Sequence, residues 1–240
     1  MTEFQLIMII IFVFSIVQSV FGVGLLVFGT PTCLLLGYSF EVTIAYLLPA
    51  SISISCMQIL HEKRHIKLRK EFLIFTIPFI ILGLALVLTK RFDFDMKLIV
   101  GFLLILTGTL RQLPKLQNAM KSLLKEHRKL YLVGMGVIHG VSNMGGGLLT
   151  ILSSTLFNNK REIRANIAYG YLIFAMTQII VLVILSPHLF KLINVVFPAI
   201  SIFTYALLGN VVYHKASEKM YQNLITVFTL AYGLVLLFSL

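Results

Sequence analysis

The sequence predicts an all-α membrane protein made of two related halves that lie in the membrane in opposite orientations. The 240 residues have a mean hydropathy of +0.96 and only 12% of them are charged, about half the charged fraction of a soluble domain. The apolar residues fall in blocks of about 20, the length at which a helix crosses the hydrocarbon core of a bilayer. These blocks are continuous rather than alternating, which favours spanning helices over a β-barrel.

Apolar blocks follow one another along the chain, and two of them are interrupted. Their approximate bounds are 4–37 (interrupted), 40–60, 72–89, 96–113, 130–157 (interrupted), 163–185, 192–212 and 221–239. The first block has no basic residue before it and no small-residue cleavage site, so we expect it to be retained rather than removed as a signal peptide. Basic loops at 61–70 and 111–129 are predicted to be cytoplasmic, because short Lys- and Arg-rich loops stay on that side.

These two loops determine the direction of the other blocks. Counting from them places the stretch 90–95 outside and the stretch 214–219 inside. Segment 130–157 must then leave the cytoplasm and return to it, and it is too long for one simple span and too short for two. We expect a hairpin of two half-helices that turns inside the membrane, and segment 4–37 is predicted to form the same hairpin from the outside. Each half has one hairpin and three crossings. Because the number of crossings is odd, the second half starts on the opposite side of the membrane and is inverted relative to the first.

An internal match supports a duplication of this kind. The predicted domains are a first repeat, a basic cytoplasmic linker and a second, inverted repeat, at residues 1–113, 114–129 and 130–240. Residues 17–24 (VQSVFGVG) can be laid over residues 138–145 (IHGVSNMG) without a gap, and a one-residue shift in the following helix brings Gln58 onto Gln178. The shared order of glycine break, polar loop and long helix indicates that the two halves are related.

The interruption in the second half contains three consecutive glycines, which cost about 1 kcal/mol each relative to alanine in a helix. A half-helix that begins there would point its unpaired N–H groups and the positive end of its dipole into the membrane, an arrangement that suits an anion. Isolated glycines in membrane helices mostly permit close packing, but a triple glycine beside polar residues favours a functional break. The predicted substrate-binding residues are His139, Ser142, Asn143, Gly145, Gly146 and Gly147.

The interruption in the first half can supply a matching half-helix from the opposite side. Its predicted substrate-binding residues are Gln18, Gly22, Gly24, Thr30 and Pro31. Two half-helix ends that converge at the midplane would form an anion site with little need for a buried positive side chain. Gln18 and His139 are predicted to occupy equivalent places just before the two breaks, where each could donate a hydrogen bond to an anion.

The second break resembles the signature of a known family. The run Gly136-x3-Gly140-x4-Gly145-Gly146-Gly147, followed by an apolar half-helix, a short polar loop and Arg164-Ala165-Asn166, is similar to the second repeat of the sulfite exporter TauE/SafE family, also called the toluene sulfonate uptake permease family. The resemblance covers nearly the whole chain in size, segment order, basic middle loop and both breaks. It implies movement of a small organosulfur or carboxylate anion, such as sulfite or a sulfonate, across a bacterial inner membrane.

Arg164 and Asn166 complete the predicted binding set, because they open a helix near the cytoplasmic mouth of the second hairpin. For Arg164 the competing interpretation is a surface charge that sets topology. His139 is also the candidate proton carrier, since imidazole titrates near neutral pH, and the alternative is a histidine bonded to a backbone carbonyl. For Gln58 and Gln178, interhelical hydrogen bonding competes equally with substrate contact.

The same sequence argues against other classes of function. The net charge of +11 comes from loop residues, where membrane topology accounts for it, so no nucleic-acid partner is expected. Cys33 and Cys56 lie in apolar segments and are interpreted as packing residues, and neither a metal site nor a cofactor is predicted. There is no phosphate-binding loop and no catalytic motif in a plausible membrane position, so we do not expect an enzyme.

These observations predict a secondary transporter that works by alternating access, with the anion bound between the two hairpins. A passive anion channel is the alternative, because half-helix ends also build selectivity filters. The expected partners are a small anionic substrate, the lipid bilayer of the bacterial inner membrane and a second copy of the chain in a homodimer.

Overall fold

The computed structural model describes residues 2–68, 70–89, 95–190, 192–209 and 218–239. Regular structure in these residues is helical, with no strand among them. The helices are α1 (Glu3–Phe21), α2 (Leu25–Leu35), α3 (Phe40–Glu62), α4 (Lys70–Leu88), α5 (Met96–Gln112), α6 (Pro114–Glu126), α7 (Arg128–Ser142), α8 (Gly146–Leu156), α9 (Lys160–Leu185), α10 (Val196–Thr204) and α11 (Glu218–Phe238). A π-helical turn at Tyr205–Gly209 continues α10.

Several of these helices have the length and composition of membrane spans. Among the described helices, α1, α3, α4 and α9 are long and apolar enough to cross a membrane, and α5 with α6 adds a fifth span if that bent pair counts as one. Shorter apolar helices include α2, α8 and α10 with its π-helical turn. The chain is therefore an all-α membrane protein, which confirms the predicted fold class at this level.

Polar residues at the ends of the apolar blocks set where the long helices begin. Ser39 and Asn159 are the N-caps of α3 and α9, and the side chain of each accepts a hydrogen bond from the first turn of its helix. Thr2 caps α1 through a reciprocal pair of bonds with Gln5. Such caps satisfy N–H groups that the first helical turn leaves without a partner. The bounds of α3, α4, α5 and α9 lie within three residues of the predicted ones.

Both interrupted blocks break, at residues 22–24 and 143–145, but Thr30 and Pro31, predicted to belong to the first break, lie inside α2. The C-caps of α1 and α7 are Gly22 and Asn143, and both residues have a left-handed backbone, with φ of 76° and 66°. The helices that follow, α2 and α8, have 11 residues each and therefore span about 16 Å, roughly half of the hydrocarbon core. α1 is longer than a half-helix, because its 19 residues suffice to cross a membrane. Two half-helices in each hairpin thus remain a prediction.

The linker between the halves is largely helical, where the charge pattern predicts a basic loop. α6 begins with Pro114 in its first turn, a position where the missing proline N–H loses no helical hydrogen bond. Its apolar residues recur at helical spacing, and Leu124 is buried while Met120 and Leu123 pack against the core. The axis of α6 is bent by 98° from that of α5. Because the other faces of α6 carry charged residues, this apolar stripe is not apparent from the overall composition of the segment.

Helices from the two halves pack against each other in the bundle. α3 packs against α9, and α5 packs against α11. α4 packs against α7, and α10 packs against α1, so each hairpin contacts a helix of the other half. Gly136 and Gly140 let α7 approach α4 closely, because an added Cβ at either would overlap the backbone oxygen of Thr76 or Ile80. These two glycines are therefore packing residues.

Two topological predictions fall mainly on residues that the structure does not describe. The stretch 90–95, predicted to be outside, is described only at Asp95. The stretch 214–219, predicted to be inside, is described only from Glu218 onward. The orientation of the bundle in the membrane therefore stays a prediction.

Candidate functional site

A small cavity lies where the two broken segments meet. Its walls come from both breaks and from α5 and α11, and the lining residues are Val23, Val27, Leu104, Thr107, Met144, Gly147, Thr150 and Thr229. The space open to a water-sized sphere is about 10 Å³, room for about one water molecule. Val27 and Gly147 belong to the first turns of α2 and α8, so both short helices present their N-terminal ends to this cavity.

Three threonines from α5, α8 and α11 carry the side-chain hydroxyls of the lining. Thr107 Oγ1 donates to the backbone oxygen of Leu103 at 2.7 Å, and Thr150 Oγ1 donates to that of Gly146 at 2.9 Å. A threonine bonded to its own helix can redirect its hydrogen by a change of χ1. Sequence reasoning missed Thr107, Thr150 and Thr229, because α5 and α11 carry no glycine break and threonines in apolar helices usually bond to their own backbone.

Each of the three consecutive glycines packs against a different helix. A Cβ on Gly145 would overlap α7, and a Cβ on Gly146 would collide with the Tyr171 hydroxyl of α9. A Cβ on Gly147 would collide with the Thr107 methyl group of α5. The triple glycine thus lets α8 begin in contact with three helices at once. The break in the helix and the close packing have the same cause, which is the lack of side chains.

Asn143 links the second break to the first. Its left-handed backbone is one that asparagine tolerates better than most residues, and its side chain is fully buried. Nδ2 donates to Thr30 Oγ1 of α2 at 2.8 Å, and Oδ1 has no hydrogen-bond partner among the described residues. Ser142 is occupied within its own turn, where its hydroxyl donates to Ile138 O at 2.6 Å and accepts from Met144 N at 3.2 Å.

His139 is buried in the last turn of α7. Its Nε2 lies 3.0 Å from Gln178 Oε1, and because a carboxamide oxygen only accepts, Nε2 carries a hydrogen. The ring packs on Phe174 with centroids 4.1 Å apart. Nδ1 has no partner among the described residues. The ring is thus held by a side chain rather than by a backbone carbonyl.

Gln18 is also buried, but its carboxamide is used within the first half. Oε1 accepts from Leu25 N at 3.3 Å and so caps the N-terminus of α2. Nε2 donates to the backbone oxygen of Ser51 at 3.1 Å and lies near the hydroxyls of Ser51 and Ser55, at 3.0 and 3.2 Å. Gln18 therefore closes its own break rather than pointing a free donor at the cavity.

Gln58 and Gln178 make matching hydrogen bonds to the two hairpins. Gln58 Nε2 donates to the backbone oxygens of Gln18 and Ser19, at 2.8 and 3.0 Å. Gln178 Nε2 donates to the backbone oxygen of His139 at 3.3 Å. Both glutamines therefore bond across helices, from α3 to the end of α1 and from α9 to the end of α7.

Other predicted residues of the first break shape the chain around the cavity. Gly22 needs its left-handed backbone and packs against Ile167 of α9. Gly24 lies against the backbone of Gln18, where a Cβ would not fit. Pro31 is buried inside α2 and removes one backbone N–H from that helix. None of these three residues is part of the cavity lining.

Arg164 is buried, with only 5% of its surface exposed. Its Nη2 donates to the backbone oxygen of Ser19 at 2.9 Å, in the last turn of α1. The Tyr205 hydroxyl lies within electrostatic reach of the same guanidinium. A cation near the C-terminal end of a helix is stabilised by the helix dipole. The interpretation of Arg164 as a surface charge is therefore wrong, because the guanidinium joins α9 to the first hairpin.

Asn166 holds the loop between α3 and α4. Its Oδ1 accepts from the backbone N–H groups of Lys67 and Leu68 at 2.7 and 2.8 Å. Its Nδ2 donates to the backbone oxygens of His65 and Glu162 at 3.0 and 2.7 Å. Next to it, Lys67 forms an ion pair with Glu162 at 2.5 Å. The amide is fully used by this loop and by its own helix, which favours a structural role over the predicted contact with substrate.

Spanning helices, two interrupted segments and a small cavity at the N-terminal ends of α2 and α8 are together the features of a membrane transport protein. The comparison with protein families identifies the kind. The family model of the sulfite exporter TauE/SafE matches residues 7–236, nearly the whole chain, and the chain belongs to that family. This is a family of membrane transporters for sulfite- and sulfonate-type anions, so a small anionic substrate and a lipid environment follow. The resemblance found in the sequence is confirmed.

No curated protein and no solved structure matches the chain. The family match is therefore the finding that connects this fold to a function.

Proposed function

We propose that this chain is a secondary transporter that carries sulfite, a sulfonate or a related organosulfur or carboxylate anion by alternating access. The anion binds in the cavity between the two breaks. The observation that carries this proposal is the position of the cavity at the N-terminal turns of both α2 and α8, next to Val27 and Gly147. Backbone N–H groups and the positive ends of two helix dipoles favour a negative charge there.

The threonine hydroxyls complete the proposed site. Thr107, Thr150 and Thr229 reach the cavity from three different helices. Sulfite and sulfonates carry three oxygens on one sulfur, and a hydroxyl can donate to each of them after a change of χ1. The bond between Asn143 and Thr30 holds the two breaks together beside this cavity.

The size of the cavity supports alternating access. A space of about 10 Å³ holds one water molecule, whereas a sulfur with three oxygens is several times larger. Binding therefore requires α2 and α8 to move away from α5 and α11. Alternating access requires a closed conformation between two open ones. A permanently open channel would have no such closed conformation.

The proposal includes an inverted repeat of residues 1–113 and 130–240, joined by the linker at 114–129. Helix contacts occur in matched pairs when the halves are exchanged, since α4–α7 corresponds to α10–α1, and α4–α9 corresponds to α10–α3. The bonds of Gln58 and Gln178 to the ends of α1 and α7 form another such pair. These matches support two halves related by an approximate two-fold axis in the membrane plane.

His139 is the proposed proton carrier. Its Nδ1 is buried without a partner among the described residues, next to the start of α8. Taking up a proton there would add a positive charge close to the bound anion. Co-movement of a proton with the anion is the simplest coupling that these residues support.

Transport by the purified chain in proteoliposomes tests the main proposal. We expect saturable uptake of labelled sulfite or sulfonate, accelerated by unlabelled anion on the opposite side. A conductance that does not saturate, and is not accelerated in this way, would identify a passive channel and refute alternating access.

Cysteine labelling tests the inverted orientation of the halves. Leu36→Cys and Asn158→Cys place thiols at exposed positions in corresponding loops, between α2 and α3 and between α8 and α9, in a background of Cys33→Ala and Cys56→Ala. The inverted repeat requires the two thiols to react from opposite sides, and the orientation predicted from the basic loops places Leu36→Cys outside and Asn158→Cys in the cytoplasm. Labelling of both from the same side would contradict it. The bacterial inner membrane and the homodimer remain predictions of the sequence.

A further inference from the structure

We propose that α6 is an interfacial helix that binds the headgroups of anionic phospholipids. This surface is separate from the substrate cavity, because no residue of α6 contributes to the cavity lining. The inference rests on the direction of α6, on its exposed side chains and on its charge.

The direction of α6 places it along the membrane surface. α5 is an apolar helix of 17 residues, and α6 is bent by 98° from it. If α5 crosses the bilayer, a helix at about a right angle to it lies nearly parallel to the membrane plane. α6 packs there against α7 and α8, with Leu124 buried and Met120 and Leu123 partly buried.

Exposed leucines alternate with exposed basic residues along this surface. Leu113 and Leu116 are 47% and 36% exposed, and Lys115 lies exposed between them. Beyond the helix, Leu130 is 61% exposed beside Lys129. A bilayer interface accommodates both kinds of group, since leucines enter the acyl boundary while lysines extend to the headgroups. Water alone would leave these leucines without a partner.

The positive charge of this segment favours anionic lipid. Residues 111–129 contain six Lys and Arg residues and a single acidic residue, Glu126. The side chains of Lys115, Lys121 and Lys125 are exposed. Each basic side chain at an anionic membrane surface contributes to binding, and clusters of them are typical of anionic-lipid sites. A neutral lipid would satisfy the leucines but not these charges.

A single tryptophan tests the proposal in the full chain. The protein contains no tryptophan, so Leu116→Trp supplies the only indole fluorescence. This variant is reconstituted in phosphatidylcholine vesicles that contain equal mole fractions of either brominated phosphatidylcholine or brominated phosphatidylglycerol. We expect both brominated lipids to quench the indole, with severalfold stronger quenching by the anionic one, and a smaller difference at high salt.

Charge-removing variants separate a specific site from general attraction. K115Q/K121Q/K125Q should abolish the preference for the brominated anionic lipid. The matched control K63Q/R64Q/K70Q removes three exposed positive charges from the loop after α3 and the first residue of α4 and should keep the preference. Equal quenching by the two brominated lipids in Leu116→Trp, or equal loss of preference in both triple variants, would overturn the proposal. Quenching by neither lipid, or quenching that depends on the protein-to-lipid ratio, would indicate that protein rather than lipid covers this surface, and would also overturn the proposal.

Discussion

Both helix breaks follow a left-handed C-cap residue, but their polar side chains find different hydrogen-bond partners. At the first break, the Gln18 carboxamide bonds to Leu25 and Ser51 of its own half. At the second break, the Asn143 amide crosses to the other half and bonds to Thr30. His139 Nδ1 and Asn143 Oδ1 remain buried without a partner among the described residues. Gln18 thus uses its carboxamide within its own half, whereas His139 and Asn143 at the second break each keep a polar atom without a partner among the described residues.

This difference suggests that the two breaks have different tasks. A buried polar atom without a partner costs about 1–3 kcal/mol, and such atoms often mark a place where a ligand or proton binds. Two such atoms also lie near the first break, Ser19 Oγ and Gln58 Oε1, and neither these residues nor His139 and Asn143 line the cavity itself. Asn143 differs from them because the next residue, Met144, is part of the lining. We therefore expect substitutions at the second break to act mainly on transport and those at the first break mainly on stability.

The largest effect is expected for Asn143→Asp. At alkaline pH the carboxylate would place a negative charge in a fully buried position beside the proposed anion site, and uptake should fall by about two orders of magnitude. The control Asn143→Gly keeps the left-handed backbone and loses only the bond to Thr30, so its loss should be less than about tenfold. Initial uptake rates in proteoliposomes measure both. Equal rates for the two variants would show that charge at this position is irrelevant.

Gly147→Ala should reduce uptake by about tenfold, because the new methyl group would collide with that of Thr107 at the cavity wall. Thr107→Ser removes the opposing methyl group, so the double variant Gly147→Ala/Thr107→Ser should regain most of the activity. Gly134→Ala is the matched control, since a Cβ there meets nothing within 4 Å. If the double variant is no better than Gly147→Ala, this contact does not shape the site.

His139→Gln should change uptake by only a few-fold but remove its response to an imposed proton gradient. The glutamine can still bond to Gln178 but cannot carry a proton. Uptake is measured with and without a gradient, with the exposed His188→Gln as control. A gradient response that persists in His139→Gln would exclude this histidine as the proton carrier.

The smallest effects are expected for the two matching glutamines. Gln58→Leu loses bonds to two backbone oxygens and should lower the free energy of unfolding by about 1 kcal/mol, with little change in uptake per folded protein. Gln178→Leu also loses two bonds, to the ring and to the backbone oxygen of His139, so it should destabilise by at least as much and in addition alter the proton response. Unfolding in detergent and uptake are compared for both. The reverse pattern would contradict the division between the two breaks.

The helix breaks were open to prediction because their causes are local. Glycine runs disfavour a helix wherever they occur, and both interruptions were predicted from composition and length alone. Contacts between distant segments were not predictable in this way. Asn143 and Thr30 are 113 positions apart, and nothing in either segment specifies the other as its partner.

The same limit explains the residues that were misjudged or missed. Asn166 has a polar side chain near a hairpin mouth, and only the path of the loop at His65–Leu68 reveals that its amide is already used. Thr107 reaches the cavity because α5 lies beside α8 in the folded chain, and the sequence does not show which helices are neighbours. Arginine is usually found at the surface, and Arg164 is buried because the end of α1 lies against α9.

The packing of each hairpin against a helix of the other half has a consequence for biosynthesis. α1 emerges from the ribosome long before α10, the helix of the other half that packs against it. The first hairpin must therefore wait in the bilayer, with the buried Ser15 not yet bonded to Ser201 of α10. Assembly can finish only when the last helices insert, which makes premature truncation more damaging than the size of the missing piece would suggest.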